Sequence, residues 1–251
     1  MSITCKNCHF QYEGKFCPDC GQKADTERIT YHSLAHEIPH SILHIDKGIF
    51  FTMKELFVRP AATLKEYMAG RRVKHFKPLA YVLILTAFST FISHLVDSYL
   101  VSHGMSITQT VAPTLLNRVV ANTSHFFDKY PSVFYFLMIP VISLLSWLFF
   151  RHSGYNYWEN IILNIYLTAQ FNLLLTLAQL LRLFNGGAVN YTPFLIVYFS
   201  YLGFVYGMFF RNAQSRRLQH TLATFGLIAA VCLVYVTGLS FAGMMTPWWG
   251  N

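Results

Sequence analysis

From residue 79 onward the chain is built of long apolar blocks separated by short polar ones. The blocks 79–98, 132–150, 161–181, 192–210 and 221–242 contain one charged residue among them, Asp97. A helix needs about 20 apolar residues to cross a hydrocarbon core about 30 Å thick, and each block is close to that length. The pattern therefore predicts an all-α polytopic membrane protein with five transmembrane helices. Ahead of it lie two smaller regions of different character, a cysteine-rich head over 1–27 and a linker over 28–78.

The linker pattern is helical. Ile49, Phe50, Met53, Leu56 and Phe57 form an apolar stripe, flanked by Lys47, Lys54, Arg59 and Lys65. That is the makeup of an amphipathic helix lying in the inner membrane interface. Pro60 ends or kinks it, and a second short helix over 61–69 closes at Gly70. Upstream, His32, His36, His40 and His44 recur every fourth residue. Imidazoles at that spacing can chelate a transition metal, but Pro39 interrupts the run and carboxylates near it are few. A polar helix face is the simpler reading, and a second metal site the sharper one.

Charge gives the expected orientation. If the five spans alternate, sixteen of the nineteen Lys and Arg residues lie on the side of the N terminus; the exceptions are Arg118, Lys129 and Arg182. Short loops rich in Lys and Arg stay cytoplasmic, so the N terminus is expected inside and the C terminus outside the cytoplasmic membrane. The first 20 residues have no apolar core followed by a small-residue cleavage site. The N terminus is therefore expected to stay where it is made. Composition agrees: 54% of residues are hydrophobic and 12% charged, against roughly 25% charged in soluble domains. The formal charge of +8 reads as topology and attraction to anionic lipid, and nucleic acid is not an expected partner.

In the head, Cys5-x2-Cys8 and Cys17-x2-Cys20 form two knuckles separated by eight residues. Four thiolates so spaced can surround one zinc ion tetrahedrally. The competing arrangement is two disulfides, which a reducing cytoplasm disfavours. With every ligand position taken by cysteine, the zinc would be structural. It would also supply the folding free energy that so short a segment cannot obtain from a core. Gly21 gives the second knuckle its tight turn, with Asn7 expected at the matching place in the first. Phe10, Tyr12 and Phe16 are expected to pack over the site, the alternative being an aromatic face for a partner. Cys232 stands alone in the last span as a small apolar filler.

The third span is the most polar. Asn160, Asn164, Thr168, Asn172 and Thr176 recur every fourth residue, with Gln179 near the same line and Glu159 at the inner end. Amides in lipid must face protein or water. Interhelical hydrogen bonding is the plainer account, and a polar pocket for a solute the functional one. Gly203-x3-Gly207, and Gly226, Ala230, Gly238 and Ala242, suit close helix packing. No catalytic set is recognisable, so enzymatic activity is not the favoured expectation.

The quartet ending Phe16-Cys17-Pro18-x-Cys20-Gly21-Gln22-Lys23 is followed by Arg28-Ile29-Thr30 and His44-x-Asp46-Lys47-Gly48. Thr52, Leu56, Arg59-Pro60 and Tyr67-x-x-Gly70-x-Arg72 continue the series. Over about residues 5–80 this resembles the bacterial family called domain of unknown function 3667. Ala61 stands where that family commonly has Gly after the Arg-Pro pair. The resemblance implies a zinc-ribbon head joined to a multi-pass domain in a bacterial inner membrane, and it implies no activity. The expected function is an integral membrane interaction or assembly protein. Its partners would be the lipid bilayer and a cytoplasmic or membrane protein, with homo-oligomerisation left open. A solute or lipid transporter using the third-span stripe is the alternative, and an intramembrane metalloenzyme using the histidine ladder comes last.

Overall fold

The computed structural model describes residues 2–24, 26, 28–31, 48–105, 131–185, 187, 192–211, 223–231 and 233, with the side chains of 131–135 and 192 left aside. The histidine ladder, Arg118 and Lys129 between the first two expected spans, and Cys232, Gly238 and Ala242 in the fifth lie outside these residues.

The head is a pair of small hairpins. Strand β1 (Ile3–Thr4) pairs antiparallel with β2 (Gln11–Tyr12), bringing Ile3 opposite Tyr12. The second hairpin is held by a single bridge between Phe16 and Lys23. Its buried interior is no more than Cys5, Tyr12 and Cys17, with Cys8, Cys20 and Ala24 packed around them.

Helices α1 (Gly48–Val58) and α2 (Pro60–Met68) follow, with Pro60 in the first turn of α2, where its missing N–H costs nothing. The apolar stripe expected along α1 is divided. Ile49, Thr52 and Leu56 are buried against the bundle, while Phe50, Phe57 and Val58 point outward with Lys54. The helix is therefore apolar on two faces, not amphipathic in the simple sense. The chain turns back at Phe76, whose N–H donates to Thr52 Oγ1 at 2.7 Å and whose carbonyl accepts from Tyr166 at 2.5 Å. Gly48 passes so close that a Cβ there would sit 3.3 Å from the Lys74 carbonyl oxygen.

Helix α3 (Pro78–Ser102) starts at a proline preceded by extended Lys77, as the restriction on a residue before proline requires. Helix α4 is Pro131–Phe149, α5 is Tyr157–Arg182 and α6 is Thr192–Phe209, with residues 223–231 also helical. By length and composition α3 and α5 are long and apolar enough to cross a membrane, and shorter apolar helices cover Phe136–Phe149 and Pro193–Phe209. Among the described residues that makes two qualifying helices. Helix α5 is central, touching α3, α4 and α6, and α2 packs on α6. Residues 159–172 of α5 are buried without a break.

The outer faces of the other helices are apolar. Leu83, Phe88, Phe91 and Leu95 on α3, Leu137, Leu144 and Leu148 on α4, and Ile196, Val197, Phe204 and Met208 on α6 are all exposed. Of the small residues, Gly203 and Gly226 serve close approach: a Cβ would lie 2.8 Å from Ile228 Cδ1 and 2.8 Å from Phe149 Cε1 respectively. Among the described residues nothing lies within 4 Å of a Cβ placed at Gly207, so of the four-residue glycine pair Gly203 is the one in close contact there.

Candidate metal centre

Each knuckle is a tight loop closed by its own backbone. The Cys5 N–H donates to the Phe10 carbonyl at 2.9 Å and the Cys17 N–H to the Gln22 carbonyl at 2.8 Å. One residue inside each loop, His9 N–H reaches the Cys5 carbonyl and Gly21 N–H the Cys17 carbonyl. The two knuckles thus repeat one geometry, and both need a left-handed residue at the same place. Gly21 has φ 72° and His9 φ 64°. The residue matching Gly21 is therefore His9, directly after Cys8, and not Asn7. The Asn7 N–H instead points at Cys5 Sγ at 3.4 Å.

The four sulfurs lie within 4.8 Å of one another. Cys5 and Cys20 are 3.5 Å apart, as are Cys8 and Cys17. A disulfide would need about 2.05 Å, whereas a tetrahedron with zinc–sulfur bonds of about 2.3 Å has edges of about 3.8 Å. The cluster fits a metal and not a pair of disulfides.

Without a metal, Cys5 and Cys8 are pushed in opposite directions. Burial raises the Cys5 thiol, but the Cys8 and Asn7 N–H groups and the neighbouring thiols outweigh it and bring it down to about 7. The Cys8 thiol is drawn down by the Phe10 N–H but more strongly pushed up by burial and by Asp19, Cys17 and Cys20. Four thiolates in contact cannot all keep their charge without a positive ion between them. Zinc bound by Cys5, Cys8, Cys17 and Cys20 would supply that charge and tie the two hairpins together.

Of the aromatic residues between the knuckles, only Tyr12 packs over the site. Phe10 and Phe16 are 49% and 57% exposed, so the expectation that all three cover the metal is corrected.

The head also touches the bundle, through residues whose roles sequence spacing does not reveal. Gln22, 4% exposed, accepts from the N–H groups of Arg72 and Val73, both at 3.3 Å. Within the head, Lys6 donates to the Thr26 carbonyl at 2.7 Å. Arg28 grips Glu159 with Nε and Nη2 at 3.0 and 2.9 Å and also donates to the Gly154 carbonyl. Hydrogen bonding to Glu159 raises the Arg28 guanidinium above its ordinary value.

Glu159, at the inner end of the polar stripe, has its carboxylate engaged at the start of α5. It accepts from the Asn156 N–H at 2.7 Å, while Asn156 Oδ1 accepts from the Glu159 N–H at 2.8 Å. This is a reciprocal capping box. Further along, the stripe is met by other helices. Asn164 Nδ2 donates to Ser143 and Ser146 on α4, both at 3.2 Å, and its Oδ1 accepts from Tyr206 on α6 at 2.5 Å. Ser146 donates to Asn160 Oδ1 at 2.8 Å. Asn172 donates to Thr86 on α3 at 3.0 Å and to the Thr168 carbonyl, and Thr176 donates to the Asn172 carbonyl. Gln179 accepts from Arg182, which also pairs with Asp97 on α3 at 2.7 Å. Gln170, off the four-residue line, donates to Met53 O and to the Tyr81 hydroxyl.

Residues 46–90 match the family model described as protein of unknown function (DUF3667). No curated protein and no solved structure matches the chain. The DUF3667 match spans α1, α2 and the first half of α3. It therefore starts well after the head and runs past residue 80, unlike the 5–80 resemblance read from the motifs. Within it, the resembling residues are those that build the α1–α2 fold-back: Thr52 holds Phe76, Arg59 pairs with Glu55 and Glu66, and Arg72 lies 5.4 Å over the Tyr67 ring.

Proposed function

We propose that the chain is a five-span membrane protein, N terminus cytoplasmic, that serves as an interaction or assembly protein, with one structural zinc ion in its head. The apolar outer faces of α3, α4 and α6 surround a centre of hydrogen-bonded amides, an arrangement suited to lipid outside and protein inside. The observation that carries the interaction reading is the pair Phe10 and Phe16, exposed beside a metal site with no open coordination position. A closed site does no chemistry on a substrate, whereas large exposed aromatics are typical anchors in protein interfaces.

The test replaces Phe10 and Phe16 with Ser, which leaves the cysteines in place. Cross-linking in intact membranes should recover a protein partner with the unaltered chain and lose it with the variant, at equal zinc content. Equal recovery from both would remove the reading.

A transporter using the α5 stripe comes second, because Asn160, Asn164 and Asn172 already hydrogen-bond to protein atoms. It requires solute flux in reconstituted vesicles that Asn164→Leu abolishes. The metalloenzyme reading rests on His32, His36, His40 and His44 by spacing alone.

A further inference from the structure

The head is held against the bundle at two separate places, and both are at the end where α3 and α5 begin. The first runs through the second knuckle. The bond from Cys17 N–H to the Gln22 carbonyl, and the Phe16–Lys23 bridge, fix the Gln22 backbone. Its buried side chain then accepts from two successive N–H groups, Arg72 and Val73, six and five residues before α3. The first knuckle contributes Lys6, which holds the Thr26 carbonyl. Gly70 lies under this junction with φ 97°, and a Cβ there would sit 3.0 Å from Thr26 Oγ1 and 3.1 Å from Lys6 Cδ.

The second place is reached by the segment that leaves the head. Ile29 is 2% exposed and belongs to the main core of the bundle. Its carbonyl accepts from Asn156 Nδ2 at 2.9 Å, and the Tyr31 ring lies 5.3 Å from that of Trp158. Arg28 and the Asn156 N–H share one oxygen, Glu159 Oε2. The atoms that cap α5 are thus the atoms the segment grips.

We propose that the cysteine head is a zinc-dependent clamp across the beginnings of α3 and α5. Resting on the zinc reading above, it makes the metal a regulator of the bundle end as well as a staple of the head. The head has too small an interior to hold its shape without the metal. When zinc leaves, Gln22 and Lys6 lose their fixed positions, and the Arg28–Ile29 segment must then stay docked without the head to hold one of its ends. Zinc therefore binds the clamped state in preference to the released one, and that differential affinity is what couples the two. The exposed side chains of Phe10 and Phe16 take no part in the clamp and remain available to a partner.

Hydrogen exchange on the full chain in detergent tests this, followed in peptides covering 70–76 and 154–160. Stripping zinc with a chelator should speed exchange in both peptides roughly tenfold, the scale of losing one charge-assisted hydrogen bond. Gln22→Ala combined with Arg28→Ala should loosen both peptides to a similar extent while zinc stays bound, since neither residue is a ligand. If chelation speeds exchange in residues 3–24 alone, or the double variant leaves both peptides as they were, the clamp is overturned. Elemental analysis of the same preparation separates the two ideas. A chain that holds zinc as prepared and exchanges no faster once chelation has removed it defeats the clamp only, and a chain that holds no zinc as prepared defeats its metal dependence together with the zinc reading.

Discussion

The head and the centre of α5 are held in opposite ways. The head's own apolar interior is the cluster of Cys5, Tyr12 and Cys17, and its order is concentrated in four sulfur atoms. The centre of α5 has an unbroken buried run over 159–172, with apolar contacts from three helices and hydrogen bonds from Ser143, Ser146, Thr86 and Tyr206. A fold stapled at one point fails all at once when that point is lost. A fold spread over many contacts loses them one at a time. The clamp matters because it joins an element of the first kind to one of the second.

The largest effect should come from the staple. Cys17→Ser should remove the bound zinc and with it folding free energy on the order of 10 kcal/mol from the head. Elemental analysis should read zinc lost, while circular dichroism should find the helices of the bundle still formed. Collapse of the helices as well would show that the two regions are not held independently.

A smaller effect is expected at the distributed region. Asn164→Leu leaves Ser143, Ser146 and Tyr206 short of a partner and should lower stability in detergent by about 1–3 kcal/mol, with zinc content unchanged. Thermal unfolding checks it, and an effect as large as that of Cys17→Ser would erase the contrast. At the junction, Gly70→Ala places a Cβ against Thr26 on a left-handed backbone. A cost of about 1–2 kcal/mol is expected, read as faster proteolysis between the head and α1 and not as zinc loss.

The smallest effect concerns His75, buried beside Tyr67 and Phe51 with its Nε2 3.9 Å from Glu66. Burial holds the imidazole below its ordinary value, with Glu66 and Glu55 drawing it up and Arg59 and Lys74 pressing it down. As pH falls through about 6.5 the unfolded chain takes a proton there first, so the folded state loses stability. The loss stops growing once the folded imidazole is protonated too. His75→Phe should flatten the fall in melting temperature between about pH 7 and pH 5. An unchanged slope would mean that other groups carry the acid sensitivity.

Features set by short spacing could be read directly. The cysteine quartet is a pattern of neighbours, and the asparagine ladder follows from helical periodicity. The capping box Asn156-x-x-Glu159 was equally local, and it explains why α5 begins at Tyr157 and not at the first apolar residue. The left-handed position of the first knuckle had a local signal that the assignment to Asn7 missed, because His9 follows Cys8 as Gly21 follows Cys20. A histidine is simply a less familiar residue there. What spacing could not supply was direction around α1, where Phe50 and Leu56 look alike in sequence and face opposite ways.

By itself the sequence determined that four cysteines can meet around one ion, that long apolar blocks become helices, and that buried amides on α5 need partners. Each of these depends on residues within a few turns of one another, where geometry is fixed by the backbone repeat. Only the tertiary structure decided which partners they meet. Arg28 and Glu159 are 131 positions apart, and Gln22 and Val73 51. Pairings at such distances are selected by how the whole chain packs, since loop closure constrains them weakly and no local period marks them.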